Sequence, residues 1–583
     1  MNTVELLVED PAEAAAVADR VRARLLELEP GIVFTELPDV REAGTWPGQD
    51  TFDNFSTLFY VGAVLALVSA LVLISNTMTT MVAEQTREIA VMKAIGGRRR
   101  QIVRSFLQTV GILGLSGSLL GVAVGVPFAN LLVAFVGDRF FGLDPAWGVS
   151  VPVIVIGLLV GVAGATLAAL PALRRAARLS VRRGLDVGTG VSGGTGVDRV
   201  LRRVRLPHNA RVGLRNVARR RARTFGTVVQ VGLAAGVALG FLALGVTVSD
   251  VTGDTWDAMS WDVLVIRRAN VELDPAAGRV IEAVDGVETA HPTLYNDLAV
   301  EGGQYESWGL PVDSRLYSPD MLAGRWFAEG DEGDSVAVVG RALATKVGLE
   351  VGDTLTVGTA RGRADLEVVG IDRVLMNNGT TVYVPLGTFQ ELLGRTDSNT
   401  YWVRSQGQDE PDIDRLAAAL EDELTAAGYP VRTEIHYVER EANLADNRVL
   451  VGVLAVMGVP IVAIGMIGLV NLMTMNVIER TREIGILRCI GARARDIRRI
   501  FRSEALVTAA VGWLIAVPLG WSIGRLLVWI VSEVFDFGAI PYTFPAWYPP
   551  FALLVTLALA WLVVLAPVRR AARLRPGDAL RYE

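Results

Sequence analysis

The chain has 583 residues, 51% of them hydrophobic, with a formal net charge of -6 and a mean hydropathy of +0.39. A chain so long and so apolar is not an ordinary soluble protein, and its long uncharged stretches place it in a bilayer. The single cysteine, Cys489, excludes an internal disulfide framework, and the scattered His208, His291 and His436 offer no metal cluster. Neither a metal nor a cofactor is expected, and nothing points to nucleic acid.

In chain order, residues 1–56 begin with the acidic "MNTVELLVEDPAEA", which has neither the basic nor the apolar region of a signal peptide. Residues 3–37 read as strand, helix, strand, so this segment is expected to be the closing piece of an outer domain. Residues 57–183 form a first unit with apolar spans at 57–81, 107–136 and 150–172, each long enough to cross a membrane. Between the first two spans stands "EQTREIAVMKAIGGRRRQI", 84–102, and after the third stands the basic "RRAARL", 174–179. Residues 184–210 are a cytoplasmic linker, Gly/Ser/Thr-rich over 184–198. Residues 211–249 carry the basic, amphipathic "LRNVARRRARTFG" and then a span at 226–249. The segment 250–448 has roughly twice as many acids as bases, which suits a folded outer domain. Its end, 399–436, again reads as strand, helix, strand. Residues 449–583 hold spans at 449–475, 505–532 and 547–567, with "ERTREIGILRCIGARARDI" at 479–497. The fold class is therefore an α-helical polytopic membrane protein with seven predicted spans, a duplicated unit and an α+β extracytoplasmic domain.

Orientation follows from the arginines. The loop 83–104 carries six Lys/Arg, 173–225 fifteen, 480–502 eight and the C-terminal tail five, whereas 137–149 has only Arg139 and 533–546 none. Both repeated phrases and the C-terminus are expected in the cytoplasm, with residues 1–56 and 250–448 outside. The spans are almost free of charge, Arg525 being the main exception; its position suits snorkelling to the outer interface. That argues against an ion- or proton-driven transporter.

Sliding the chain on itself by 395 residues aligns the two phrases at ten identical positions of nineteen, and also sets Asn76 on Asn471 and "RRAARL" 174–179 on "RRAARL" 569–574. This is an internal duplication. Within each phrase, apolar positions such as Ile89, Met92 and Ile95 recur at helical spacing, after a charged first turn at Glu84, Arg87 and Glu88. Gly96–Gly97 and Gly491–Ala492 supply the stop. The reading is a short helix along the cytoplasmic face. Its arginines could touch anionic lipid, but lipid contact alone would not require Thr-Arg-Glu-Ile and Ile-Gly at matched positions twice. A protein partner with two equivalent grooves would. Asn76 and Asn471 suit helix–helix hydrogen bonding.

"TREIAVMKAIGG", "TREIGILRCIGA", "RNVARRRART" and the ending "RPGDALRYE" resemble the FtsX-like permeases of ABC transporters, a group that includes macrolide-exporter and lipoprotein-releasing systems. "GRWF" at 324–327, "VAVVGRALATKVGLEVGDTLTV" at 336–357, "LEVVGI" at 366–371 and "VYVPL" at 382–386 are similar to that family's MacB-like periplasmic core domain. The resemblance implies a bacterial cytoplasmic membrane protein whose repeated phrases, 84–97 and 479–492, are coupling helices seated on a cytoplasmic ABC ATPase, two copies in all. The residues it assigns to coupling are Glu84, Thr86, Arg87, Glu88, Ile89, Ile95 and Gly96, with Glu479, Thr481, Arg482, Glu483, Ile484, Ile490 and Gly491.

No Gly-x-x-x-x-Gly-Lys-Ser/Thr loop occurs, and no nucleophile–base or paired-carboxylate constellation stands out, so a non-catalytic subunit is expected. The leading function is a permease subunit coupling a separate ATPase to an extracytoplasmic domain, for export or extraction of a lipid, lipoprotein, peptide or drug-like substrate. The alternative is an ATPase-driven regulator of an extracytoplasmic enzyme such as a cell-wall hydrolase. An extracytoplasmic adaptor, lipoprotein or hydrolase is a further expected partner. By the repeat offset the first unit lacks the front of its outer domain, roughly 190 residues. Met1 is accordingly expected to be an internal start, with an eighth span upstream; a separate polypeptide supplying that span is the other explanation.

Overall fold

Apolar runs this long become helices because a bilayer offers no water to take their backbone N–H and C=O groups. The computed structural model describes residues 8, 14–28, 49–141, 147–178, 221–268, 271–301, 303–359, 361–535 and 540–573. Its helices begin with α1 (Ala14–Leu28), α2 (Gln49–Glu84), α3 (Thr86–Ala94), α4 (Arg99–Phe141), α5 (Val151–Arg178) and α6 (Arg221–Asp257). Four short helices follow, α7 (Pro275–Ala283), α8 (Arg341–Val347), α9 (Leu386–Leu393) and α10 (Glu410–Ala426). Then come α11 (His436–Glu479), α12 (Thr481–Cys489), α13 (Ala494–Val534), α14 (Tyr548–Val563) and α15 (Leu565–Arg573). Among the described residues, six helices are long and apolar enough to cross a membrane, and α14 with α15, bent by 41°, make a seventh if counted as one span.

The chain separates into a helical unit, Leu58–Gly245, Val451–Leu527 and Phe544–Glu583, and a mixed unit, Met1–Thr57, Val246–Leu450 and Val528–Thr543. In the helical unit the two repeats build matching cores. Met78, Val82, Ile89, Ile102, Phe106, Ala165 and Ala176 are buried together in the first. Met473, Val477, Ile484, Ile497, Phe501, Ala560 and Ala571, their counterparts at an offset of 395, are buried together in the second. The duplication thus extends to the packing. α6 is the most enclosed span, with 67% of its apolar window buried in protein against 6% for α4 and 11% for α5. Glycines bring it against α13: a Cβ on Gly240 would lie 2.6 Å from Ile523, and one on Gly520 would lie 2.6 Å from Leu239. Small residues at four-residue spacing let two helix backbones touch where lipid supplies no hydrophobic drive. Polar side chains add cross-helix bonds. Asn76 donates to Thr227 at 3.1 Å, Asn471 to Thr77 at 3.4 Å, and Gln230 to the Ile464 carbonyl at 2.8 Å. Both asparagines therefore join helices, as the sequence reading expects. Arg525 lies 5.6 Å over the Trp521 ring.

Among the described residues the mixed unit holds ten strands: β1 (Val263–Arg267), β2 (Val287–Val300), β3 (Gly303–Leu310), β4 (Met321–Gly324), β5 (Val336–Gly340), β6 (Thr354–Thr359), β7 (Gly362–Asp372), β8 (Val382–Pro385), β9 (Thr400–Ser405) and β10 (Val431–Ile435). They form one sheet in the order β10-β1-β9-β2-β3-β8-β5-β7-β4, with β6 on β2 and β7. The long β2 joins two halves, pairing β9 up to Thr293↔Thr400 and β3 from Leu294↔Gly309. On one half, α10 buries Ile413, Leu416, Leu420 and Leu424, a stripe at helical spacing, over β1 and β9. On the other half, Leu343 of α8 and Phe389 of α9 pack on β5, β7 and β8. A third cluster is aromatic and gathers Trp261, Trp308, Tyr317, Tyr383 and Trp402.

The strand–helix–strand expected at 399–436 is β9, α10 and β10. Of the matching trio expected at 3–37, α1 is the helix; its two strands, the linker 184–210, the basic stretch 211–220 and the tail after 573 lie outside the described residues.

Candidate functional site

The repeated phrases fold as α3 and α12, each a short helix between two spans. Each starts at a break in an otherwise continuous helix, at Gln85 (φ -87°, ψ 13°) and at Arg480 (φ -105°, ψ 17°). Thr86 Oγ1 donates to the Val82 carbonyl at 3.1 Å, and Thr481 Oγ1 to the Val477 carbonyl at 3.1 Å. A threonine hydroxyl bonded back to the preceding turn bends a helix, which is what the repeated threonine does here. Glu84 and Glu479 accordingly end the incoming helices rather than opening the short ones.

Both short helices end alike. Gly96 (φ 98°) and Gly491 (φ 103°) take the left-handed conformation. The next residue closes the turn: Gly97 N–H donates to Met92 at 2.8 Å and Ala492 N–H to Leu487 at 2.9 Å. Glycine is required because a Cβ would be strained at that φ. The following helix is capped from within, as the Arg98 N–H donates to Gln101 and the Arg493 N–H to Asp496. In the last turn, Lys93 Nζ donates to the Ala177 carbonyl at 2.9 Å, and Arg488 donates to the Ala572 carbonyl at 3.2 Å. Burial and the Arg99 charge hold the Lys93 ammonium below the usual lysine range.

The phrase's apolar residues divide between two faces. Ile89 and Ile484 are 0% and 2% exposed and form part of the repeat cores. Ile95 and Ile490 are 81% and 76% exposed, and Val91, Met92 and Ile486 are exposed beside them. Arg87, Glu88, Arg482 and Glu483 are exposed as well. Each short helix therefore presents a charged first turn and an uncovered apolar tip, in the same register. Ile89 and Ile484, placed by the sequence reading on the contact surface, instead seat the helices; a helical stripe turns one side inward wherever a core is within reach.

In the mixed unit, the aromatic cluster walls a cavity of about 430 Å³, lined by Trp256, Trp261, Trp308 and Trp402 and by Glu434 and Glu439. The indole N–H groups of Trp261 and Trp402 find no acceptor among the described residues. His436 stands edge-on to Trp256 and Trp261, with ring centroids at 5.2 and 4.9 Å. Burial, and then the Arg440 charge, pull its pKa down to about 4. Part of the wall is Asn377–Asn378, both left-handed (φ 44° and 62°), a strained pair of the kind that gathers at ligand sites. Beside the cavity, Tyr317 donates to the buried Asp372 at 2.5 Å and meets Tyr383 at 2.8 Å; burial pushes Asp372 up to about 6. Among the described residues no three His, Cys, Asp or Glu are grouped to hold a metal.

The FtsX-like permease C-terminal model matches residues 60–181 and again 455–576, and the MacB-like periplasmic core domain model matches 224–423. Two FtsX-like permease repeats thus flank a MacB-like periplasmic core domain in this chain. Both ends of the two FtsX-like matches are separated by the same offset that superposes the phrases. The chain is 26% identical over 356 residues to the pyoverdine export ATP-binding/permease protein PvdT of Pseudomonas putida, covering 56% of this chain and 52% of that one. It is 26% identical over 392 residues to the macrolide export ATP-binding/permease protein MacB of Nitrobacter winogradskyi, covering 62% and 58%. It is 25% identical over 416 residues to the lipoprotein-releasing system transmembrane protein LolC of Neisseria meningitidis, covering 64% and 98%. It thus spans about half the length of the exporters it matches. Within this permease, sequence reasoning missed the Lys93 and Arg488 bonds and the tryptophan cavity. The first had a signal, a basic residue at matched positions; the second had none, because its walls come from residues far apart in the chain.

Proposed function

We propose that this multi-pass membrane permease couples a separate cytoplasmic ABC ATPase, one copy on each of α3 and α12, to movement of its extracytoplasmic domain. The output is export or extraction of an amphipathic substrate such as a lipid, lipoprotein, peptide or drug-like molecule. The observation that carries this is the doubled, uncovered tip: Ile95 and Ile490 project from the ends of two otherwise well-seated helices. Large apolar side chains left in the open at matched positions mark a binding surface. The names of the pyoverdine and macrolide exporters join an ATP-binding part to a permease part, which supports an ATPase as the partner. The tryptophan-lined cleft of the mixed unit offers such a substrate an aromatic surface.

The test is co-purification of the ABC ATPase with the chain in detergent, and its turnover in liposomes, for I95S/I490S and for E88Q/E483Q. Loss of the ATPase with normal membrane insertion supports the reading. Full retention by both double variants would show that these tips face lipid and would remove it.

A further inference from the structure

The two short helices share a seat but not a hinge. In the second repeat, the bend between α11 and α12 carries a buried polar knot. Glu504 of α13, 5% exposed, accepts from Asn476 Nδ2 at 2.9 Å and from Arg480 at 3.2 Å. Arg480, the residue at the bend, also donates to Glu483 of α12 at 2.8 Å and lies 5.6 Å over the Phe501 ring. One carboxylate thereby ties together the arriving span, the bend, the short helix and the departing span. At the same offset the first repeat keeps Glu88 and Phe106 but has Met81, Gln85 and Thr109 where the knot has Asn476, Arg480 and Glu504. None of the three is charged, and Thr109 Oγ1 bonds back to its own helix, to the Ser105 carbonyl at 3.2 Å.

A carboxylate this far from water is tolerated because charged and amide donors hold it, and pulling the bend open would strand it. Opening the first bend strands no charge. We propose that the Arg480–Glu504 clamp makes α12 a rigid lever, whereas α3, seated by Ile89 and tethered at Lys93, has no such lock at its Gln85 bend, so that the two docking helices are mechanically unequal. Glu504 is a positioning residue, acting on α12 through Arg480. What the lever acts on rests on the coupling reading; the clamp itself does not.

The chain's single cysteine provides the probe. Cys489 is exposed on α12, and its equivalent on α3 is Ala94, also exposed. A nitroxide on Cys489, or on A94C in a C489A background, reports each helix in the full-length chain in liposomes, with neither ATPase nor substrate present. The expected result is an immobilised spectral component at 489 and its absence at 94. E504Q, which keeps the shape but removes the charge, should abolish that component at 489 and leave 94 unchanged. M81N/Q85R/T109E, which writes the clamp into the first repeat, should create it at 94, an effect that a purely structural role for Glu504 would not produce. Equal mobility at the two positions, or no response at 489 to E504Q, overturns the proposal. An ATPase that fails to bind the unsubstituted chain would instead remove the coupling reading and leave the clamp result standing.

Discussion

The Lys93 ammonium donates to the carbonyl of Ala177 at 2.9 Å, fastening the end of α3 to the end of α5. The same bond recurs between Arg488 and Ala572 at 3.2 Å, with arginine in place of lysine. Both carbonyls lie in the last described turn of a helix, where a cation is favoured. The tether makes the short helix and the basic tail of each repeat a single mechanical piece.

Removing the tether should loosen both ends. K93A and R488A are expected to cost about 0.5–1.5 kcal/mol of local stability, the worth of a partly exposed charged hydrogen bond. Hydrogen exchange should accelerate over 86–97 and 173–178 in K93A, and over 481–492 and 565–573 in R488A. K93R should restore the first pair of segments to protection.

The two faces of the short helices should respond differently. I89A and I484A remove buried methyls and are expected to cost about 2–4 kcal/mol, read as a lower melting temperature in detergent. I95S and I490S should change stability by no more than about 0.5 kcal/mol and so barely move the melting temperature. A large destabilisation by I95S would mean that Ile95 is covered within the chain.

The glycine seam predicts opposite outcomes at two positions of α6. G240V would push side-chain atoms into Ile523, already 2.6 Å from a bare Cβ, and should destabilise by about 1–3 kcal/mol. A Cβ on Gly253 meets nothing within 4 Å, so G253A should be neutral or stabilising by up to about 1 kcal/mol. Thermal unfolding of both variants checks the pair.

His436 and Asp372 predict a compensated pH response in the mixed unit. The folded state holds His436 neutral down to about pH 4, so its share of stability is complete above pH 6.5 and is lost as the pH falls toward 4. Asp372, raised to about 6, does the reverse, and its share present below pH 3.8 is lost as the pH rises through 6. Relative to the unsubstituted chain, H436Q should lose stability as pH rises from 4 to 6, and D372N should gain it. Each slope should amount to roughly 1–2 kcal/mol over the window, discounted for solvent reaching the half-buried imidazole. Tryptophan fluorescence melts at stepped pH measure both; parallel slopes in the two variants would contradict the assignment.

By itself the sequence determined the membrane class, the order of the spans, the duplication and the existence of both short helices. Each of these is written along one dimension: apolar length sets a span, an offset sets a repeat, and a threonine before a charged turn with an Ile-Gly stop sets α3 and α12. The alternation and length of 400–405, 410–426 and 431–435 likewise made β9, α10 and β10 legible. Only the tertiary structure decided which apolar residues of the phrase are seated and which are presented. Ile89 and Ile95 are equally apolar and sit on one helical repeat, and what separates them is the nearness of Phe106 and Ala169 to the first. The Arg480–Glu504 clamp and the cavity walled by Trp256, Trp261, Trp308 and Trp402 escaped the sequence for the same reason. Burial and hydrogen-bond satisfaction are properties of neighbours in space, and those neighbours stand up to 146 positions apart in the chain.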